Sequence, residues 1–290
     1  MVDEAVIEAK NLHKSYGGTQ ALIGLDLSIQ RGEIFALLGP NGAGKTTTIA
    51  LLTGQLAPDS GSANVLGSNP WNASPHHRAQ VGVVAQAGAP FDALQVGEVL
   101  DHFATFYPEP RSVTETLELV GLSDKRHARV KTLSGGQQRR LDVALGIIGS
   151  PKVLFLDEPT TGFDPEARRA FWDLIHTLKA TGTTIVLTTH YLDEVEALAD
   201  RVGVLLAGEL AHLATPAELT ARCATQTVVR WHEPSGIKTV TTATPTALVS
   251  ELSHQFGGEV PGLTISRPSL EDVYLSLVNS TEPELAGSLA

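Results

Sequence analysis

The sequence predicts an α/β fold with a mainly parallel sheet at its core, an antiparallel β layer, a helical subdomain and a small C-terminal α/β accessory domain. Three observations lead there. Four apolar runs, at about 34–38, 81–85, 153–156 and 184–188, alternate with helical stretches, as the buried strands of a parallel sheet do. Between the first run and the helix after it, Gly39 to Thr46 reads Gly-Pro-Asn-Gly-Ala-Gly-Lys-Thr. The third run, Val153-Leu154-Phe155-Leu156, ends in the acidic pair Asp157-Glu158.

Residues Ala5 to Ile29 alternate like an antiparallel hairpin layer. Glu33 to Leu38 then reads as a buried strand, and Thr46 to Leu52 as a helix stopped by Gly54. The eight residues at the junction fit the phosphate-cradling pattern G-x-x-x-x-G-K-[ST]. Gly39, Pro40, Asn41, Gly42, Ala43 and Gly44 form the loop, and its small residues let backbone N–H groups approach phosphate oxygens. Lys45 adds a point charge, Thr46 offers a hydroxyl to Mg²⁺, and Thr47 follows in the first turn. The anion is expected at the helix N-terminus, where unpaired amides and the macrodipole favour negative charge. A glycine-rich turn with a chance lysine is the bland alternative.

Such a site needs an acidic residue at the end of a second buried strand, and Asp157 has that position, as the magnesium ligand. Glu158 is placed to orient or deprotonate a water attacking the γ-phosphate. Read alone, the two carboxylates are a solvated pair that opens a loop stiffened by Pro159. Between Phe91 and Gly149 the pattern is helical, with Ser134-Gly135-Gly136-Gln137 before its last helix. There Ser134 can cap the helix while the glycines expose amides to a second anion, or the segment is a plain capped helix.

With these motifs in this order, the chain resembles the nucleotide-binding subunit of an ATP-binding cassette (ABC) transporter over about Val6 to Leu219. Leu133-Ser134-Gly135-Gly136-Gln137 is similar to that family's signature, which by resemblance serves the γ-phosphate of ATP held by a second subunit. Four further positions follow by resemblance. Tyr16 matches the aromatic that stacks on adenine, against the alternative of a core tyrosine. Gln86 matches the glutamine that touches Mg²⁺ and the nucleophilic water and senses the membrane partner, against an exposed strand-end amide. Asp164 matches the loop linking two composite sites across a dimer, against a helix cap. His190 matches the switch histidine that contacts the γ-phosphate and orients the water, against a structural histidine. Phe163 replaces the leucine usual in the dimer loop, and Ala85 precedes Gln86 where proline is frequent.

The resemblance implies ATP and Mg²⁺ as cofactors, a second ATP-binding subunit as dimer partner, and a separate transmembrane permease. The run from Gln137 to Leu145 and the tail around Ser269-Leu270-Glu271-Asp272 are similar to the drug- and antibiotic-resistance branch of exporters. The alternatives are a soluble ATPase of the same superfamily acting on ribosome or DNA, and a regulatory module without turnover. The groove for a cytoplasmic helix of the permease is expected from Gln86 through Phe91, Leu94 and Tyr107.

The family motifs end near Leu219, so the domains are expected at 1–222 and 223–290, with the helical subdomain at about 91–149. In the second, short strands near 227–231, 239–242 and 263–265 surround a helix near 246–256, and Ser269 caps a final amphipathic helix. At 290 residues and 42% hydrophobic composition, two packed cores are expected. No run approaches the ~20 apolar residues of a membrane span and no signal-peptide pattern opens the chain, which predicts a cytoplasmic protein. The net charge of −11 argues against nucleic acid as a partner and against direct docking on anionic lipid, leaving membrane contact to the permease. The single cysteine, Cys223, excludes an internal disulfide, and the adjacent His76 and His77 read as solvated loop residues.

Overall fold

The computed structural model describes residues 5–85, 91–222, 227–233, 236–266, 269–275 and 277. The chain divides into two compact units, Met1–Leu213 and Ala214–Ala290. The boundary expected at 222/223 coincides with the end of a short helix that belongs to the second unit.

The first unit opens on β1 (Ala5–Tyr16) and β2 (Thr19–Gln30), which pair antiparallel around a Gly17-Gly18 turn as the alternating pattern predicts. A six-stranded sheet holds β3 (Ile34–Leu38), followed by α1 (Lys45–Leu52). The strand β4 (Ser60–Val65) returns to the free edge of β1 and completes a layer of order β2-β1-β4. Inward residues of this layer, among them Ile7, Leu12, Leu25 and Ile29, share one core with Phe35, Leu51 and Phe155. After α2 (Pro75–Arg78) comes β5 (Val81–Val84), then α3 (Val96–Ala104), α4 (Val113–Leu119) and α5 (Gly135–Ile147), the helical subdomain expected from 91 to 149.

The chain re-enters the sheet as β6 (Val153–Asp157), leaves through α6 (Pro165–Ala180), returns as β7 (Thr184–Thr189), and passes through α7 (Leu192–Leu198) to β8 (Arg201–Leu206) and β9 (Glu209–Ala214). Strand order is β5-β6-β7-β3-β8-β9, with every pairing from β5 to β8 parallel. All residues of β3, β6 and β7 are buried, which is why these strands read as unbroken apolar runs. Ala207 and Gly208, both at positive φ, make the tight turn between β8 and β9.

The second unit holds α8 (Pro216–Arg222) and the strands β10 (Thr227–Glu233), β11 (Gly236–Thr242) and β12 (Thr264–Ser266) in the order β11-β10-β12, with α9 (Pro245–Phe256) between the last two in sequence. Val229, Trp231, Leu252 and Val260 are its core. The expected cap is formed: Ser269 N–H donates to Asp272 Oδ2 at 2.8 Å, and Asp272 N–H donates to Ser269 Oγ at 3.2 Å. Among the described residues no helix is long and apolar enough to cross a membrane.

One expectation needs correction. His77 is buried, because Ser74 and Pro75 start α2 and turn its side chain inward, and burial holds its imidazole below the usual range. His76 alone is exposed.

The signature helix α5 lies directly on β5. A Cβ added at Gly82 would stand 2.2 Å from Gly146 O, and one at Gly146 would stand 2.6 Å from Val84 Cγ2. Gly82→Ala must therefore push helix and strand apart, and a loss of about 2 kcal/mol is expected in urea unfolding, as for other overpacked cores.

Candidate functional site

The loop from Gly39 to Gly44 leaves β3 at the carboxyl edge of the sheet and is pressed closely against its neighbours. A Cβ at Gly39 would meet Leu205 O at 2.5 Å, and at Gly44, with φ 107°, it would meet Ala21 O at 2.5 Å. Only glycine fits either place, so the backbone is held where amides can face an anion. Lys45 is buried, and its ammonium donates to Gly39 O at 2.8 Å and Pro40 O at 3.1 Å. It also stands 3.4 Å from Glu158 Oε1. Tyr16, Ala21, Asn41, Gly42, Gly44, Lys45, Thr46, Thr47 and Glu158 line one open cleft of about 390 Å³. Tyr16 is 47% exposed, which excludes the core alternative, and the Lys14 ammonium sits over its ring at 5.9 Å from the centroid. Ala43 is buried behind the loop.

Strands β6 and β7 position the acidic pair, of which Glu158 lines this cleft. Thr188 serves both of its members: its hydroxyl donates to Asp157 Oδ1 at 2.6 Å and accepts from Glu158 N–H at 3.0 Å. Glu158 takes φ 45°, a conformation that costs a non-glycine residue energy and recurs at functional positions. Its side chain turns toward Lys45 and His190, whose Nδ1 lies 3.5 Å from Oε1, while Thr161 Oγ1 donates to Oε2 at 3.4 Å. His190 is about one-third exposed, and its ring lies 4.0 Å from that of Tyr191, over which the Arg168 guanidinium sits at 4.7 Å.

Asp157 is buried, and among the described residues its Oδ2 takes no hydrogen bond. With the exposed Thr46 it supplies hard oxygen donors, a set that suits Mg²⁺. Gln86, the third expected ligand, lies outside the described residues.

Ser134, Gly135, Gly136 and Gln137 begin α5 through a capping box: Gln137 N–H donates to Ser134 Oγ at 3.3 Å, and Ser134 N–H to Gln137 Oε1 at 3.0 Å. A Cβ at Gly135 would meet nothing within 4 Å, whereas one at Gly136 would stand 3.8 Å from Ala167 Cβ. None of the four lines the cleft that contains Lys45. Asp164 caps α6, accepting from Ala167 N–H at 2.8 Å, and Phe163 packs edge-on against Phe171 with centroids 5.9 Å apart.

Two residues of this neighbourhood were not singled out from the sequence. One is Thr188. The other is Arg139, whose guanidinium donates to Pro159 O at 3.0 Å, to Asp157 O at 2.9 Å and to Ala85 O, with Asp142 3.7 Å away on the next turn. It ties the signature helix to the ends of β5 and β6. Burial lowers its pKa, an effect that Asp142 and Asp157 oppose. A run of four polar residues, Gln137 to Arg140, gave no sign of which one turns inward.

Known proteins resemble this chain in sequence and fold. A family model described as ABC transporter matches residues 22–161. The daunorubicin/doxorubicin resistance ATP-binding protein DrrA of Streptomyces peucetius is 35% identical over 93% of this chain and 92% of its own. The linearmycin resistance ATP-binding protein LnrL of Bacillus subtilis is 34% identical over 78% and 74%, and the Nod factor export ATP-binding protein I of Ralstonia nicotianae is 40% identical over 74% and 68%. Among solved structures, the ATP-binding subunit of an ABC transporter superposes with a TM-score of 0.70 at 23% identity, covering 94% of this chain and 99% of that one. The protein cbiO1 of Clostridium perfringens, part of the ABC transporter complex cbiONQ, gives 0.68 at 29% over 76% and 92%. An alignment with DrrA that spans nearly the whole of both chains, joined to the conserved geometry of the cassette, settles the matter: the chain belongs to the ABC transporter family, as one of its ATP-hydrolysing subunits.

Proposed function

We propose that this ATPase powers export of a drug, antibiotic or lipid-like compound through a separate transmembrane permease. The observation that carries the site assignment is the meeting of Lys45, Glu158 and His190 around one carboxylate at the end of a cleft that Tyr16 lines. The export reading is supported by relatives named for daunorubicin/doxorubicin resistance, linearmycin resistance and Nod factor export. A nucleic-acid substrate has no support in a chain of net charge −11.

In this reading the exposed ring of Tyr16 takes the adenine, and the amides from Gly42 to Thr47 take the phosphates. Lys45 exchanges its loop carbonyls for phosphate oxygens. Thr46, Asp157 and Gln86 would hold Mg²⁺, which when bound offsets the charge that develops on the phosphates. Glu158 accepts a proton from the attacking water, and His190, held by Tyr191, orients it. Lys45→Ala is expected to weaken ATP binding tenfold or more, by roughly 1.4 kcal/mol, whereas Glu158→Gln retains binding and loses about 10²-fold or more in kcat. Nucleotide titration and phosphate release separate the two; turnover in the glutamine variant removes Glu158 from the base role.

Gly135 and Gly136 do not line their own chain's cleft, so we infer that their amides meet ATP bound to a second copy, with Asp164 near the join. ATP should then drive the Glu158→Gln protein from monomer to dimer in light scattering. Gly135→Asp has room for its side chain and keeps the fold, yet places a carboxylate toward the γ-phosphate. That variant is expected to remain monomeric; a dimer unaffected by it contradicts the composite site.

The permease groove is assigned to a cleft of about 370 Å³ between β5 and the helical subdomain, lined by Val83, Ala85, Phe103, Tyr107, Asp142 and Leu145. Phe91 and Leu94 lie outside this lining; Phe91 instead packs on Phe103 at 5.5 Å. Phe106, 65% exposed and 5.8 Å from Phe103, extends the aromatic surface. Phe106→Ser is expected to spare basal ATPase and Tm while reducing co-purification with the permease several-fold, as loss of an exposed aromatic anchor does. A parallel fall in Tm would place the ring in the core instead.

A further inference from the structure

Beneath the loops that carry Glu158 and His190 lies a carboxyl with no role in the assignments above. Glu194, in the first turn of α7, has no exposed surface. Neither Oε1 nor Oε2 has a hydrogen-bond partner of good geometry, and Thr160 Oγ1 is orphaned in the same way. Three unpaired polar atoms in so small a volume are costly unless the arrangement serves something.

Five elements surround the group. Thr160, in the loop after β6, and Thr189, at the end of β7, bring hydroxyls to the carboxyl but stop short of well-formed bonds; both act to favour its ionised form. Asp193 on the same helix repels its charge, while Arg168 of α6 and Arg139 of α5 attract it. Burial outweighs all of these and pushes the carboxyl up to about 7. Near neutral pH it is therefore divided between a carboxylic acid, which donates one hydrogen bond and accepts others, and a carboxylate, which only accepts.

The two threonines are not incidental neighbours. Thr160 is two residues past Glu158, and Thr189 directly precedes His190. Thr189 Oγ1 already accepts from Tyr191 N–H at 2.9 Å, on the far side of the histidine. We propose that Glu194 is a positioning residue for ATP hydrolysis, a buried bridge between Thr160 and Thr189 that holds the loop of Glu158 against the loop of His190. This rests on the roles assigned above to those two residues. A carboxylate placed only to satisfy the helix dipole would act in its ionised form and leave turnover untouched.

The test is the pH profile of ATP hydrolysis by the purified chain and its variants, each with a thermal melt. Glu194→Ala removes the bridge and is expected to lower kcat about tenfold or more, with KM for ATP within about twofold. Glu194→Gln keeps a donor and an acceptor at every pH. It should retain kcat to within about threefold and lack the decline in kcat that the proposal expects of the wild type as pH rises through about 7. The melts carry a sign of their own. A carboxyl raised from 4.5 costs no stability below that pH, where it is protonated in both states, and stability is lost as pH rises from there through about 7, so the Tm advantage of Glu194→Gln over the wild type should grow from pH 5 to pH 8.

Wild-type kcat and pH profile in Glu194→Ala, beside an inactive Glu158→Gln, would overturn the bridge and leave the site intact. Turnover by Glu158→Gln would overturn the site reading and the bridge with it. Should the alanine variant fail to fold, an alkaline decline that persists in Glu194→Gln overturns the proposal.

Discussion

The parallel register of three adjacent strands governs everything at the site. Leu38 of β3 pairs with Thr189 of β7, and Thr188 of β7 pairs with Asp157 of β6, so the three strands end at one level. From that level the chain leaves as the glycine loop, as Glu158 and as His190. Residues far apart in sequence thereby reach one carboxylate without long side chains or an added scaffold. The fixed spacing of the ladder also explains why Thr188 can serve Asp157 and Glu158 together: it is the neighbour across the strand of the first and one step from the second. Ligands gather where parallel strands end because only there do successive loops converge.

Much of this was legible because motif spacing reports on backbone chemistry. The glycine loop and the acidic strand end follow from what a phosphate needs, the strand-end histidine came from the family resemblance, and the buried strands had too many apolar residues in a row to be anything else. Less legible were β4, which is Ser-Gly-Ser-Ala-Asn-Val and owes its place to pairing with β1 rather than to apolar pattern, and β8 with β9, which lie past the last site motif. His77 was misread because a four-residue helix capped by Ser74 leaves almost no periodicity to detect.

Arg139 and Glu194 show a different limit. On a helical wheel both sit in polar stretches that read as solvated faces, yet both are buried. What decides their burial is a set of partners 18, 20 and 54 residues away in the case of Arg139. A charge inside a protein is tolerated where fixed dipoles replace water, and those dipoles here are the carbonyls at strand ends. One sequence read locally holds no record of them.

The contact between α5 and β5 has a mechanical meaning. Helices usually rest on sheets through a layer of side chains that can change rotamer and absorb small shifts. At Gly82 and Gly146 that layer is missing, and backbone meets backbone. β5 is the outermost strand of its sheet, and Arg139 on the same helix bonds the carbonyls of Ala85 and Asp157 at the ends of β5 and β6. The helical arm is therefore joined stiffly to the edge of the sheet, and α5 and β5 are expected to shift together.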